Sequence, residues 1–443
     1  MTMGLLNNSI NREQKKSQLL AFTCISIGTL IFLGTNSALF TVTAFLVCSC
    51  VCVQFSLDFS FSVLLFILPM ATIFKLAPGQ TSLFTFIQLI WVICAFWKSG
   101  MQATKADISV FLFSLYLIIC QIFNGGLSIS ATIKLTFGLF MVLAIKKGKL
   151  YGKYVPMFLC YISGVLVSSL LMYINSPLLR ITAYVSSKTE RLAGAEAGDN
   201  ITRFAGLYGD PNYYSVNIIV AMILILCLYR KKKLTSIQSV LLTVPFVFFA
   251  AKTGSKSALF MLVIPAVLFV YISLKNRHYI IAFTSVLLIV FAVWMILNGK
   301  IAAFSVAIQR LTANHASLND LTTGRGSKWT EFLEYIWDRP IVLLFGKSLL
   351  NVVLNGGAPH NTYIDMLFQL GALGTVWITG ILSTAWIDKY KNKTLLNYSL
   401  AGAVAILYFF LSELQYADFA FHLALCLIVA NLDFNSNYKM EDE

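Results

Sequence analysis

The sequence predicts an all-α, polytopic membrane protein with about 12–14 transmembrane helices and two long loops on the outer side. Three observations carry this. The 443 residues are 58% hydrophobic and only 12% charged, whereas soluble domains carry about 25% charged residues. Mean hydropathy is +0.78. Apolar runs of bilayer length recur from Gln18 to the C-terminus, each able to cross as a helix. Ten-residue alternating strands, the mark of an outer-membrane barrel, are not seen.

Taken in order, the apolar spans fall near 19–34, 38–55, 59–77, 81–97, 106–124, 128–146, 154–174, 212–229, 234–250, 256–274, 279–297, 362–386, 396–411 and 413–432. Arg12, Lys15 and Lys16 precede the first and read as a cytoplasmic flank, with no cleavable signal evident. With the N-terminus inside, the basic stretches at 146–149, 230–233, 275–277 and 389–393 all fall inside. Inner loops and tails then hold 19 Lys and Arg, against Lys252 and Lys256 in the short outer loops. That asymmetry is the positive-inside signal. It also accounts for most of the +14 net charge, so nucleic acid is not an expected partner.

Residues 1–443 read as one membrane domain with no internal repeat. Loops 175–211 and 298–361 lie on the outer side together with the turn 251–255. The polar tail after Asn431 is expected to fray. All nine cysteines fall in apolar runs. Cys48, Cys50 and Cys52 fan around a helix and match no zinc spacing. They read as packing residues, and no disulfide is expected.

The candidate chemistry sits in the outer segments. In the first loop Asp210-Pro211 is a good helix start, with Asp210 as N-cap and Pro211 as first helical residue. Arg203 lies seven residues upstream, and Asn212 follows the proline. In the short turn, Ser255 is placed to cap the next helix between Lys252 and Lys256, where a helix start and two cations favour anions. In the second loop Arg325 opens a stretch with Trp329, Phe332, Leu333, Ile336 and Trp337 on one face, stopped by Pro340. This predicts a short amphipathic helix lying in the interface plane. Guanidinium forks bind phosphate oxygens bidentately, so Arg325 is a candidate phosphate contact.

His360 closes that loop after Pro359, beside Asn361, Tyr363 and Asp365. It is placed to carry a proton or donate to phosphate near neutral pH. The other histidines lack such company: His278 in an inner basic loop, His315 mid-loop and His422 in the last span, read as a hydrogen-bonded packing residue. No Ser/His/Asp triad, Gly-rich phosphate loop or Asp-x-Asp is present, so a metal-dependent transferase is disfavoured and no cofactor or metal is expected.

The set Arg203, Gly206, Asp210-Pro211-Asn212, then Thr253-Gly254-Ser255-Lys256-Ser257-Ala258, then Thr323-Gly324-Arg325, then His360-Asn361-Thr362-Tyr363 with Gly371 and Gly374, resembles the O-antigen ligase/polymerase superfamily. That group holds Wzy-type polysaccharide polymerases and the ligases that attach O-antigen to lipid A–core. The resemblance covers roughly 150–390. Lys256 departs from it: many members carry Arg there, so charge is kept and the fork is not.

The resemblance implies metal-independent glycosyl transfer at the outer face of the bacterial cytoplasmic (inner) membrane. The donor would be an oligosaccharide on undecaprenyl diphosphate. Arg203 and Arg325 would stabilise the diphosphate and His360 would assist at the acceptor or the diphosphate. Asp210, Asn212, Lys252, Lys256, Asn361 and Tyr363 would line the substrate site. Membrane lipids surround it, and a chain-length regulator and a flippase are the implied partners. The rival from another class is a lipid-linked glycan flippase. Such proteins usually carry charges inside spans, where this sequence offers Lys75, Lys134, Glu413 and Asp418.

Overall fold

The computed structural model describes residues 2–100, 103–174, 179–185, 203–298, 304, 325–349, 353–386, 393–411, 414 and 417–434. Most of the first long loop lies outside these residues, as do 299–303, 305–324 (with His315, Thr323 and Gly324) and 350–352 of the second, Glu413, the basic stretch 389–392 and the C-terminal tail.

The described residues are all-helical. In chain order the helices are α1 Thr2–Gly34, α2 Ala38–Gln54, α3 Leu57–Ile67, α4 Phe84–Lys98, α5 Lys105–Phe123, α6 Ile129–Lys147, α7 Tyr154–Ile174, a short α8 Ile181–Tyr184 and α9 Pro211–Arg230. Then follow α10 Ser236–Lys252, α11 Lys256–Met261, α12 Val263–Lys275, α13 Tyr279–Leu297, α14 Arg325–Trp337, α15 Pro340–Phe345, α16 Thr362–Trp386, α17 Leu395–Tyr408 and α18 Ala417–Ala430. Seven helical stretches are long and apolar enough to cross a membrane, and seven more are apolar but shorter. Each apolar segment expected from the sequence is helical over most of its length.

Three expected spans differ, each for a local reason. The span at 59–77 ends as helix at Ile67 and passes through a single 3₁₀ turn, Leu68–Met70. Pro69 in that turn has no N–H to continue the ladder. Lys75 is therefore in a loop, outside the helix. The span at 256–274 is divided at Leu262 between α11 and α12, where the Pro265 ring meets the carbonyl of Met261 four residues back. The span at 362–386 breaks at Gly371, whose φ of 68° and ψ of 178° are non-helical.

α9 is the axis of the bundle. Every residue from Tyr213 to Tyr229 is buried, as expected of a helix that is apolar all round. α7, α10, α12 and α17 pack on it. Cys48 and Cys52 point inward and Cys50 outward, and all nine cysteines are free thiols.

The basic stretches gather at one end and tie helices together there. Lys16 and Lys153 both reach Asp58, at 3.0 and 3.2 Å. Lys147 pairs with Asp107. Lys146 donates to the Thr384 carbonyl at 2.6 Å, and Arg230 to Asn276 and the Phe434 carbonyl. The opposite end carries the starts of α9, α11, α16 and α18 and the end of α17. All the candidate site residues lie at that end.

Candidate functional site

Asp210 caps α9, its Oδ1 accepting from the Asn212 N–H at 2.7 Å with Pro211 as first helical residue. Ser255 caps α11, its Oγ accepting from the Ala258 N–H at 3.3 Å. The two helix starts are joined. The Ser255 hydroxyl donates to Asn212 Oδ1 at 2.8 Å and lies 2.9 Å from the Ser257 hydroxyl.

Arg203 spans the same junction. Its Nε donates to the Thr253 carbonyl at 2.7 Å and one Nη to Asn212 Oδ1 at 3.5 Å. The chain beside it is pinned by the Phe204 N–H on the Lys252 carbonyl at 3.0 Å. Gly206 is required here. Its φ is +54°, and a Cβ would meet the Tyr214 ring at 2.8 Å. The first loop and the short turn, about fifty residues apart in sequence, are thus one unit. Thr253, through its carbonyl, and Ser257 belong to it and were not singled out from the sequence; only their place inside the Thr253-to-Ala258 motif hinted at them.

Lys252 joins this unit through its backbone. It is the last residue of α10, and its exposed ammonium lies over the Phe248 ring one turn back, 5.8 Å from the centroid. Its side chain therefore follows its own helix, and the backbone carbonyl alone joins the Arg203 unit. Lys256 begins α11 and is half-buried beside Ser255.

The second unit forms around the end of α17. Arg325, the first residue of α14, donates through Nη1 to the Phe410 carbonyl at 2.7 Å. Trp329 donates to the Pro359 carbonyl at 2.8 Å and packs edge-on against Phe409. Thr362 donates to the Leu411 carbonyl at 2.5 Å and the Tyr363 hydroxyl to the Ala405 carbonyl at 2.9 Å. The Phe410 and Leu411 carbonyls lie just past the last turn of α17, where acceptors have no partner within the helix. The end of α17 in this way holds Arg325 and the start of α16.

Asn361 is the N-cap of α16. Its Oδ1 accepts from the Tyr363 and Ile364 N–H groups at 3.0 and 3.2 Å, and it is buried. His360 stands between this cap and Pro359 with φ of 49°. A left-handed backbone is uncommon outside glycine, though His is among the residues that tolerate it. The cap role falls to Asn361, and His360 is half-buried beside it. The two units meet through the helices: α9 and α11 of the first pack on α17, whose end holds the second.

The amphipathic stripe of α14 splits. Phe332 and Ile336 are buried against Phe368 of α16, whereas Leu333 is 46% and Trp337 77% exposed. Lys328 and Asn355 both bind Glu331 at 2.7 Å and hold its carboxyl below the ordinary range, Lys328 most.

Comparison of the chain with protein-family models, with curated proteins and with solved structures finds no match.

Proposed function

We propose that the chain is a polysaccharide repeat-unit polymerase, for O-antigen, capsule or exopolysaccharide. It would transfer glycan from undecaprenyl diphosphate to an acceptor sugar hydroxyl at the outer face of the cytoplasmic membrane. One observation carries the reading. Arg203 and Arg325, far apart in sequence, are each anchored to a backbone carbonyl at the same end of the bundle, around helices that pack on α17.

In this reading the acceptor oxygen forms a bond to the anomeric carbon as the bond from that carbon to the diphosphate oxygen breaks. The electron pair leaves on the diphosphate, where Arg203 and Arg325 offset the growing charge. The hydroxyl proton passes to His360. Lys256, Asn212 and Tyr363 border the substrate.

The experiment is elongation by purified protein given defined lipid-linked repeat units, with and without lipid A–core. The polymerase yields longer lipid-linked chains without lipid A–core. Arg203→Ala, Arg325→Ala and His360→Ala each lower the rate by about 10²-fold or more, the scale of losing one transition-state contact. Near-normal elongation by all three variants overturns the proposal. Product formed only on lipid A–core assigns the ligase reaction instead.

A flippase would draw on the break in α16. The carbonyls that the break frees are paired, however. The Lys347 and Ser348 N–H groups reach those of Phe368 and Gln369 at 2.7 and 3.0 Å, and the Tyr116 hydroxyl reaches that of Leu370 at 2.6 Å. A break that lines a transport path would keep such groups for substrate.

A further inference from the structure

A groove of about 620 Å³ runs between α1 and α7, and none of the candidate site residues lines it. Its form follows from the packing beneath it. α1 and α7 both pack on α3. Gly28 and Gly164 let them come close: a Cβ on Gly28 would stand 3.1 Å from the Phe66 ring, and one on Gly164 2.2 Å from the Phe66 carbonyl oxygen. Phe66 is therefore the floor. The two walls meet one turn from these glycines, where the Cys24 and Cys160 sulfurs lie 3.9 Å apart. Outside that contact they part, and Ala21, Ile25 and Thr29 of α1 and Leu159 and Ser163 of α7 stay exposed. The lining side chains are apolar apart from the hydroxyls of Ser17, Thr29 and Ser163.

Length says what kind of chain fits. The groove begins at Ser17 and Pro156, next to the basic end of the bundle, and reaches Leu33, Leu171 and Leu179. Ser17 to Leu33 is about 24 Å of helix, against a hydrocarbon core about 30 Å thick. The acyl chain of a lipid in one leaflet reaches only to the mid-plane, about 15 Å, and would leave part of the groove empty. A chain that fills the groove crosses the mid-plane. A long polyprenyl chain does so, and a phospholipid acyl chain does not.

Charge says what the chain carries. Leu179 lines the far end of the groove, and the next residue is Arg180. Arg180 is exposed, and its N–H on Asn36 Oδ1 at 3.3 Å holds it against the turn between α1 and α2. A guanidinium at the mouth of an apolar groove matches a phosphate at the head of a hydrocarbon chain. The same last turn of α7 carries Tyr173, whose ring packs edge-on against Phe204, the neighbour of Arg203. The groove thus ends where the arm of the candidate site begins.

We propose that the α1–α7 groove seats the hydrocarbon chain of a polyprenyl phosphate, with the phosphate at Arg180. That this lipid is the carrier of a glycan substrate rests on the polymerase reading. The binding itself does not.

The test uses the full-length protein in phosphatidylcholine nanodiscs and undecaprenyl phosphate with a photoreactive group in its chain. Cross-links are expected on the groove residues of α1 and α7, suppressed by unlabelled undecaprenyl phosphate and not by excess phosphatidylglycerol. Cross-links confined to other helices, or equal suppression by phosphatidylglycerol, overturn the proposal. A second copy of the chain in the groove would show as two chains per nanodisc without groove cross-links, and overturns it as well.

Ala21→Trp and Ser163→Trp fill the groove from exposed positions on opposite walls. Each is expected to weaken undecaprenyl phosphate binding about tenfold, the loss of a few buried methylenes. Arg180→Gln is expected to weaken it about tenfold, the scale of one charge-assisted hydrogen bond, and to leave binding of uncharged undecaprenol unchanged. Unchanged affinity in both Trp variants overturns the groove, and an equal loss for undecaprenol in Arg180→Gln overturns the phosphate placement. Circular dichroism and gel filtration check the fold of each variant, and the wild-type cross-link map decides should a variant misfold.

Elongation separates this proposal from the polymerase reading. Groove binding by a wild type that does not elongate leaves the groove standing and sinks that reading. Normal elongation by both Trp variants, with loss in Arg203→Ala, does the reverse.

Discussion

Gly346 and Gly371 face each other backbone to backbone. A Cβ on Gly371 would stand 2.5 Å from the Gly346 nitrogen and 2.4 Å from the Leu344 carbonyl oxygen; one on Gly346 would stand 2.4 Å from the Gln369 oxygen. The segment after α15 crosses α16 at its break because neither residue has a side chain there. Both also have positive φ, 76° and 68°. Gly356 shares the φ of 76° but has open space around it. Gly356→Ala is therefore expected to cost about 1–2 kcal/mol from backbone strain alone. Gly346→Ala and Gly371→Ala are expected to cost clearly more, read as a larger drop in melting temperature in detergent. Equal drops for all three would show that the crossing is looser than described.

The Arg203 unit predicts coupling between its members. Asn212 Oδ1 accepts from both Ser255 and Arg203. In a double-mutant cycle on elongation rate, Asn212→Ala and Ser255→Ala are expected to be non-additive by about 0.5–3 kcal/mol. Arg203→Lys is expected to lose nearly as much activity as Arg203→Ala. A lysine cannot hold the Thr253 carbonyl and still present a fork to phosphate. Additive effects would mean that the contacts act separately.

Much of the fold was legible because lipid imposes one rule: apolar length reads directly as helix. The ends of helices were legible where a side chain caps them, as with Asp210 and Ser255. What sequence could not show was the joining of distant segments. Nothing near Arg325 names the Phe410 carbonyl as its anchor, since a helix C-terminus offers acceptors whatever its residues. The same holds for Thr253, which serves Arg203 through its backbone. The stripe of α14 was read as one face, yet it divides between Phe332, turned to α16, and Trp337, turned outward. Helical spacing gives a face its width, and the neighbour decides how much of it is covered. Position in a turn likewise does not fix where a long side chain goes, and Lys252 lies along its own helix.

A polar network is buried beneath the site. The His422 Nδ1 lies 3.1 Å from the Tyr408 hydroxyl and its Nε2 3.3 Å from the Tyr161 hydroxyl. Tyr161 donates to Asn217 Oδ1 at 2.7 Å, and Asn217 reaches Asp418 at 3.4 Å. The chain of contacts ties α7, α9, α17 and α18. His422→Ala would remove the ring that both the Tyr408 and Tyr161 hydroxyls reach and open a cavity, at about 2–4 kcal/mol. Cys426→Ala, one turn on and also buried, removes a smaller group that anchors no network and is expected to cost less. Thermal melts of the two variants compare them directly.

The outward half of α14 makes the last prediction. Leu333, Trp337, Ile341, Leu344 and Phe345 are all exposed, from 44% to 77%, and run without interruption from α14 into α15. Beside them Glu334, Asp338 and Arg339 are exposed as well. Tryptophan with apolar neighbours and charges alongside is the pattern of a helix at the membrane–water boundary. The anchoring of Arg325 to Phe410 and of Phe332 to Phe368 then fixes how deep that lip sits. In a variant keeping Trp337 as its single tryptophan, brominated lipid is expected to quench its fluorescence strongly. A variant keeping only Trp91, which is fully buried in the bundle, should be quenched far less. Trp337→Glu should weaken elongation while Arg203 and Arg325 stay in place, because the lip that orients the Arg325 helix no longer rests in lipid. Weak quenching of Trp337 would mean that the lip faces water or another protein, and the interfacial placement of α14 would have to be given up.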